Sequence, residues 1–185
     1  MGETIVDKFH IETKELLELL DKHQEISLRN TADDCFRKAL ILAAASYFER
    51  KLTECVLDFV TAAIECNLRS ALITAFVKNK AISRQYHTWF NWSEKSANSF
   101  FGLFGENFRD FMKMKVKNEP LLDESIKAFL ELGEARNRLV HQDFGAFTLE
   151  KTSDEIYSLY QKALFFIDNV PTSLENYSSP NTLDA

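Results

Sequence analysis

At 185 residues, with 45% apolar side chains and a net charge of −6, the chain has room for one domain with a good core and is not the uniformly basic kind that binds nucleic acid indiscriminately. Only 5 Gly and 3 Pro stand among many helix formers and 16 Phe, which argues for a helical protein. The cysteines Cys35, Cys55 and Cys66 are odd in number and lack C-x-x-C spacing, which argues against a disulfide framework; they are expected to be small buried apolar residues in a reducing compartment.

Residues 1–22 carry acids throughout and no apolar core of signal-peptide length, and no stretch reaches the roughly 18 to 20 apolar residues of a membrane span. A soluble cytoplasmic protein with no membrane partner is expected. The first helix is predicted from about Thr4 to Leu28, with Ile5, Phe9, Leu16, Leu17, Leu19, Leu20 and Ile26 as its apolar stripe. Thr31 and Asp34 have the spacing of a capping box for the next helix, and Asp33 and Asp34 are expected to cap rather than bind magnesium.

From Ala32 to about Cys66 there is no Gly or Pro, and Phe36, Leu40, Ile41, Phe48, Leu52 and Val56 cover more than one stripe, so this should be the central helix, buried on several sides. On it Ser46, Glu49 and Thr53 share a face. Glu49 either reaches a cation of the late helix, orienting Arg136 or His141, or lies solvated near Ser46 and Thr53.

A short apolar helix is predicted over Ala71–Val77, then an irregular or helical stretch over Ile82–Trp92. Ser93, Ser96 and Asn98 can open the next helix. Phe100, Phe101, Phe104, Phe108 and Phe111 recur at helical intervals interrupted by Gly102 and Gly105, and are expected to be core rather than a base-stacking platform. Charge is segregated: residues 78–117 carry eight bases against three acids, while residues 1–35 and 142–185 are acidic. A basic centre can hold an anionic backbone while the ends limit non-specific binding, or can be the solvated face of ordinary helices.

Pro120 suits the start of a helix that buries Ile126, Phe129, Leu130, Leu132, Leu139 and Val140. Gly133 within it costs about 1 kcal/mol relative to Ala; a close approach by another helix or a second chain would explain it, and so would a tolerated accident. That helix ends in Arg136-Asn137-Arg138-Leu139-Val140-His141, with Asp143 and Gly145 just after. The guanidinium is a planar donor fork suited to phosphate, and imidazole exchanges a proton near neutral pH. A salt-bridged helix end with Glu134 pairing Arg138 is the plainer reading. At about 100° per residue, Asn137 and Arg138 are the nearest neighbours of His141, about 40° and 60° away, and Arg136 is about 140° away. His10, His23 and His87 stand isolated, with surface or core roles expected. Ser153 opens a last helix with acids in its first turn, and Tyr177–Ala185 is expected to be a frayed tail, leaving one domain over residues 1–176.

The Arg136-Asn137-x-x-x-His141 pattern resembles the Arg-polar-x-x-x-His signature of the HEPN superfamily. The segment Ala43-Ala44-Ala45-Ser46-Tyr47-Phe48-Glu49 and the Trp-containing stretch before Phe101-Gly102-Leu103-Phe104-Gly105 look similar to the RiboL-PSP type of HEPN domain. The resemblance implies an all-α, up-and-down helical bundle of HEPN type with additional short helices. It further implies a metal-independent endoribonuclease of a prokaryotic toxin-antitoxin or defence system, cutting RNA by 2'-hydroxyl attack to leave a 2',3'-cyclic phosphate. By that resemblance His141 is the acid or base, Arg136 binds phosphate and Asn137 orients one of them, while Arg138 and Glu49 are candidate substrate-binding residues.

One histidine per motif leaves a proton-transfer role unfilled, which HEPN nucleases meet by pairing two motifs, so a homodimer is expected, with an antitoxin or regulatory protein as a further partner. The sequence holds no phosphate-binding P-loop, nucleophile elbow, H-E-x-x-H or zinc-spaced Cys/His cluster, so no metal and no cofactor are expected. A non-catalytic module of the same fold, binding RNA, nucleotide or protein, is the alternative, and a purely structural bundle a third.

Overall fold

The computed structural model describes residues 2–64 and 68–178, and Cys66 lies outside them. Thr4 starts helix α1 (Ile5–Lys22) with a capping box: its hydroxyl accepts from the Asp7 N–H, and the Asp7 carboxylate accepts from the Thr4 N–H at 2.7 Å. The Asp7 carboxylate also accepts from the Tyr157 hydroxyl and the Gln161 amide, both at 2.8 Å, so the cap doubles as a cross-link to the last helix. The helix ends earlier than its apolar stripe predicts. Gln24 takes a left-handed backbone with φ 61°, and α2 (Ile26–Ala63) begins two residues later.

Thr31 therefore sits inside α2, its hydroxyl returned to the Ser27 carbonyl, and caps nothing. Asp33 and Asp34 are likewise interior, where they pair with Arg37 and Lys38. At 38 residues, α2 spans about 57 Å and runs against α1, α7 and α8. Cys35 on it is exposed and Cys55 half-buried, so the expectation of buried cysteines fails at Cys35. Burial pushes the Cys55 thiol up to about 11.

Then come α3 (Leu68–Val77), a π-helical turn at Lys78–Ile82, α4 (Tyr86–Trp89), α5 (Asn98–Gly102), α6 (Glu106–Asn118), α7 (Pro120–His141) and α8 (Ser153–Ser178). Gly105, at φ 103°, supplies the left-handed residue that separates α5 from α6. Pro120 begins α7, where its missing N–H costs nothing. The described chain is all-α, a bundle of the long helices α1, α2, α7 and α8 with the short helices between α2 and α7 closing one side.

The core is aromatic. Phe129 of α7 meets Phe48 of α2 at 5.6 Å, Phe90 at 4.8 Å and Phe166 of α8 at 5.1 Å between ring centroids. Such pairs add about 0.5–1.5 kcal/mol each beyond area burial. Phe100, Phe101 and Phe108 are buried with them, so the Phe-rich stretch is core. Helix α8 continues through Pro171, and Tyr177 packs on Phe108 and Phe111 with both centroids at 5.3 Å. Tyr177 thus belongs to the bundle rather than to the expected tail; residues 179–185 lie outside the described part. No described helix is long and apolar enough to cross a membrane.

Candidate active site

The end of α7 forms one wall of a cleft of about 380 Å³, with Gly133, Arg136, Asn137, Val140 and His141 facing it. Opposite stand Ala45, Phe48 and Glu49 of α2, and the third side is the segment carrying Arg84, Tyr86, His87 and Trp92. The volume falls in the range of small-ligand sites, about 300–1,000 Å³. With Phe129 as zero at about 100° per residue, Arg136, Val140, Gly133, Asn137 and His141 fall at about −20°, 20°, 40°, 80° and 120°. They form a single stripe.

Arg138 falls at about 180° on the same count and leaves the cleft. It is exposed, its guanidinium lies 5.3 Å from the Phe147 ring centroid, and it lines a different depression near Leu149. Angular distance from His141 alone placed Arg138 as a neighbour; the cleft lies on the other side of His141, toward Gly133. Arg138 thus does not join the cleft as the expected substrate-binding residue, and among the described residues it makes no ion pair with Glu134 within 4 Å.

Arg136 is half-buried, and its Nη1–H donates to the Asn137 Oδ1 at 3.1 Å. Among the described residues neither Arg136, Arg84 nor Glu49 has an ion-pair partner within 4 Å, so the arginine charges are not neutralised at contact range. Glu49 is half-buried at the cleft wall and touches neither Arg136 nor His141 through a hydrogen bond; its backbone carbonyl accepts from Thr53. The buried Tyr86 phenol feels both charges. Burial and then the Glu49 carboxylate push it far above its ordinary value, and Arg136 partly offsets them. His141 is exposed at the cleft mouth.

Gly133 is no accident but a close approach, made by a ring rather than a helix or second chain: Trp92 lies where a Cβ would stand. Trp92 Nε1–H in turn donates to the His87 carbonyl at 3.1 Å. His87, read from sequence as isolated, is thereby a cleft residue, and so is Arg84. The available signal was a His three residues after an Arg within an aromatic run. Of the basic middle segment only Arg84 comes here; Lys113 pairs with Asp110, and Lys115 bonds Asn169 and Ser173.

The loop after the motif is held from behind by α2. The buried Lys38 Nζ donates to the Phe144 carbonyl at 2.8 Å and pairs with Asp34 at 2.7 Å, while Arg37 Nη1 donates to the Leu149 and Lys151 carbonyls at 2.9 and 3.0 Å. Nothing in the sequence pattern distinguishes these two bases from solvated ones. No group of three or more metal-ligating side chains occurs among the described residues.

An all-helical bundle whose penultimate long helix ends in Arg-Asn-x-x-x-His at a cleft defines the class: a HEPN-type domain. The RiboL-PSP-HEPN family model matches residues 7–176, and the chain belongs to that family. No curated protein and no solved structure matches it. Membership points to ribonuclease-type or nucleotide-related function, and HEPN domains often bind RNA and dimerise.

Proposed function

We propose that the chain is a metal-independent endoribonuclease, in which Arg136 binds the scissile phosphate, Asn137 orients its guanidinium and His141 transfers a proton. The observation that carries this reading is the shared cleft: a guanidinium steadied by the neighbouring carboxamide and, among the described residues, unneutralised by any carboxylate at contact range, with an imidazole at the mouth. Cations at such a site stabilise the charge that develops as the ribose 2'-hydroxyl attacks phosphorus, and an imidazole carries the proton. The product is a 2',3'-cyclic phosphate, and DNA, lacking the hydroxyl, is inert. Phe48, Phe129 and Trp92 give the cleft an apolar wall suited to a base.

In the setting the family suggests, the enzyme acts in a toxin-antitoxin or defence system as a cytoplasmic homodimer restrained by an antitoxin or other regulatory protein. Incubating purified protein with labelled RNA in EDTA tests the reading. Cleavage to cyclic-phosphate ends, lost in His141→Ala, is the expected result. Binding without cleavage replaces the enzyme with a non-catalytic module, the reading the apolar wall would then serve.

A further inference from the structure

We propose that a groove beside the N-terminal half of α7 is a second RNA site, which binds the phosphate backbone of the strand running out of the cleft; this rests on the ribonuclease reading above. The groove, of about 440 Å³, is lined by Lys95, Lys113 and Lys117 together with Phe101, Asp123 and Ile126. It collects lysines of the basic middle segment that the cleft leaves out.

Cleft and groove lie along one face of the same helix. Counted from Phe129 at about 100° per residue, Ile126 and Asp123 fall at about 60° and 120°, inside the range of about −20° to 120° that the cleft residues occupy. At about 1.5 Å per residue, the stretch from Asp123 to Arg136 sets the two sites about 20 Å apart. The segment between α4 and α5 joins them. Trp92 lines the cleft and Lys95, three residues on, lines the groove, so their Cα atoms are at most about 11 Å apart.

The cations of the groove are available to a phosphate. Among the described residues neither Lys95 nor Lys117 has a carboxylate within 4 Å. Lys113 pairs with Asp110 at 2.9 Å, but the two side chains are 46% and 64% exposed, and such a pair holds only about 0–1 kcal/mol against a competing anion. Asp123, the acid of the groove, is already paired with Lys127. Lys113 and Lys117 stand four residues apart on α6 and so share a face of it. Phe101 and Ile126 are each 2% exposed, which leaves no ring free to stack a base, so the groove reads backbone charge rather than sequence. A strand reaching from cleft to groove covers about 20 Å, roughly six nucleotides at about 3.4 Å each when stacked.

The test is the binding of a fluorescent single-stranded RNA of about 12 nucleotides to His141→Ala protein, followed by anisotropy from about 50 to 300 mM salt. Adding Lys95→Ala and Lys117→Ala to that protein should make the plot of log K against log salt shallower by about 1.4, about 0.7 per lysine, and weaken binding roughly 10–100-fold at low salt. Lys8→Ala with Lys22→Ala on α1 removes the same charge and should change neither. Both double variants should melt like their parent, because all four lysines are exposed. With His141 intact, the longer RNA should exceed a dinucleoside monophosphate in kcat/KM, and the Lys95 and Lys117 changes should erase most of that advantage. An unchanged salt slope, or an equal loss in the α1 control, overturns the proposal and leaves the ribonuclease reading standing. If the wild type cuts no RNA while Lys95 and Lys117 still carry the slope, the ribonuclease reading falls and the groove remains an RNA-binding site. Protein that neither cuts nor binds RNA overturns both.

Discussion

The indole of Trp92 occupies the volume that a side chain at position 133 would need: a Cβ built on Gly133 falls onto ring carbons Cζ3 and Cε3. Helix propensity alone favours Ala over Gly there by about 1 kcal/mol. Packing opposes it, because Trp92 also contacts Tyr86, Phe90 and Phe129 and has little room to retreat. Overpacking of this kind costs about 1–3 kcal/mol. Gly133→Ala is therefore expected to destabilise, measured as a lower urea midpoint. RNA cleavage should fall further than stability explains, since the displaced indole carries the His87 carbonyl with it.

Arg136 and Arg138 sit two residues apart and are expected to behave oppositely. Arg136→Ala removes the cleft cation whose fork is oriented by Asn137, and should lower the cleavage rate by about 10²–10³-fold with little change in melting. Arg136→Lys keeps the charge but loses the fork and should fall between. Arg138→Ala should leave the rate nearly unchanged, and removing its stacking on Phe147 should cost about 0.5–1 kcal/mol of stability. Single-turnover cleavage beside thermal melting separates the two; equal loss of activity in both would remove the stripe assignment of α7.

What could be read from the sequence was what local chemistry decides. Pro120 and Ser153 open helices because an N1 proline and an acidic first turn act within a few residues. The α1–α2 break was not legible, because Gln24 takes up the left-handed turn without a glycine to mark it. Arg136, Asn137 and His141 were legible as a constellation. Arg84, His87 and Trp92 were not, because they reach the site only through packing between segments far apart in the chain. Gly133 was compatible with a close approach or with a tolerated accident, because a missing side chain cannot say whether anything fills its place.

Lys38 is nearly fully buried, and its ammonium joins the Asp34 carboxylate to the Phe144 carbonyl while lying 5.0 Å from the Phe144 ring centroid. Lys38→Met keeps the apolar stem and removes the charge. Loss of a charge-assisted bond costs about 1.5–3 kcal/mol; Asp34 is 40% exposed and can be resolvated, which puts the expected value at the low end. Arg37 still holds the Leu149 and Lys151 carbonyls, while the first part of the loop 142–152 loses its anchor with the charge. Amide exchange should accelerate there in Lys38→Met while the core of α8 keeps its protection, and uniform exchange across both would show that Lys38 supports the whole bundle instead.

His10 is 6% exposed, stacked on Tyr157 with centroids 4.0 Å apart, and its Nε2 lies 3.3 Å from the Asp154 carboxylate. Burial lowers the pKa of the imidazole, and the attraction of Asp154 only partly offsets that, so the folded state favours the neutral ring. As pH falls through about 6.5, the unfolded chain takes up this proton first. Stability is then fully present above that pH, declines below it and stops declining once the pH is under the folded pKa. Asp7 acts in a separate, more acid window. Burial alone would raise its carboxyl, but the bonds from Thr4, Tyr157 and Gln161 outweigh this and hold it low. Its contribution is therefore present above the ordinary Asp value of about 3.9 and lost as pH falls through the lower folded value. Urea unfolding between pH 7.5 and pH 5 should show a decline in the wild type that His10→Gln flattens, while Asp7→Asn leaves it in place; a wild type equally stable across that range would contradict the assignment to His10.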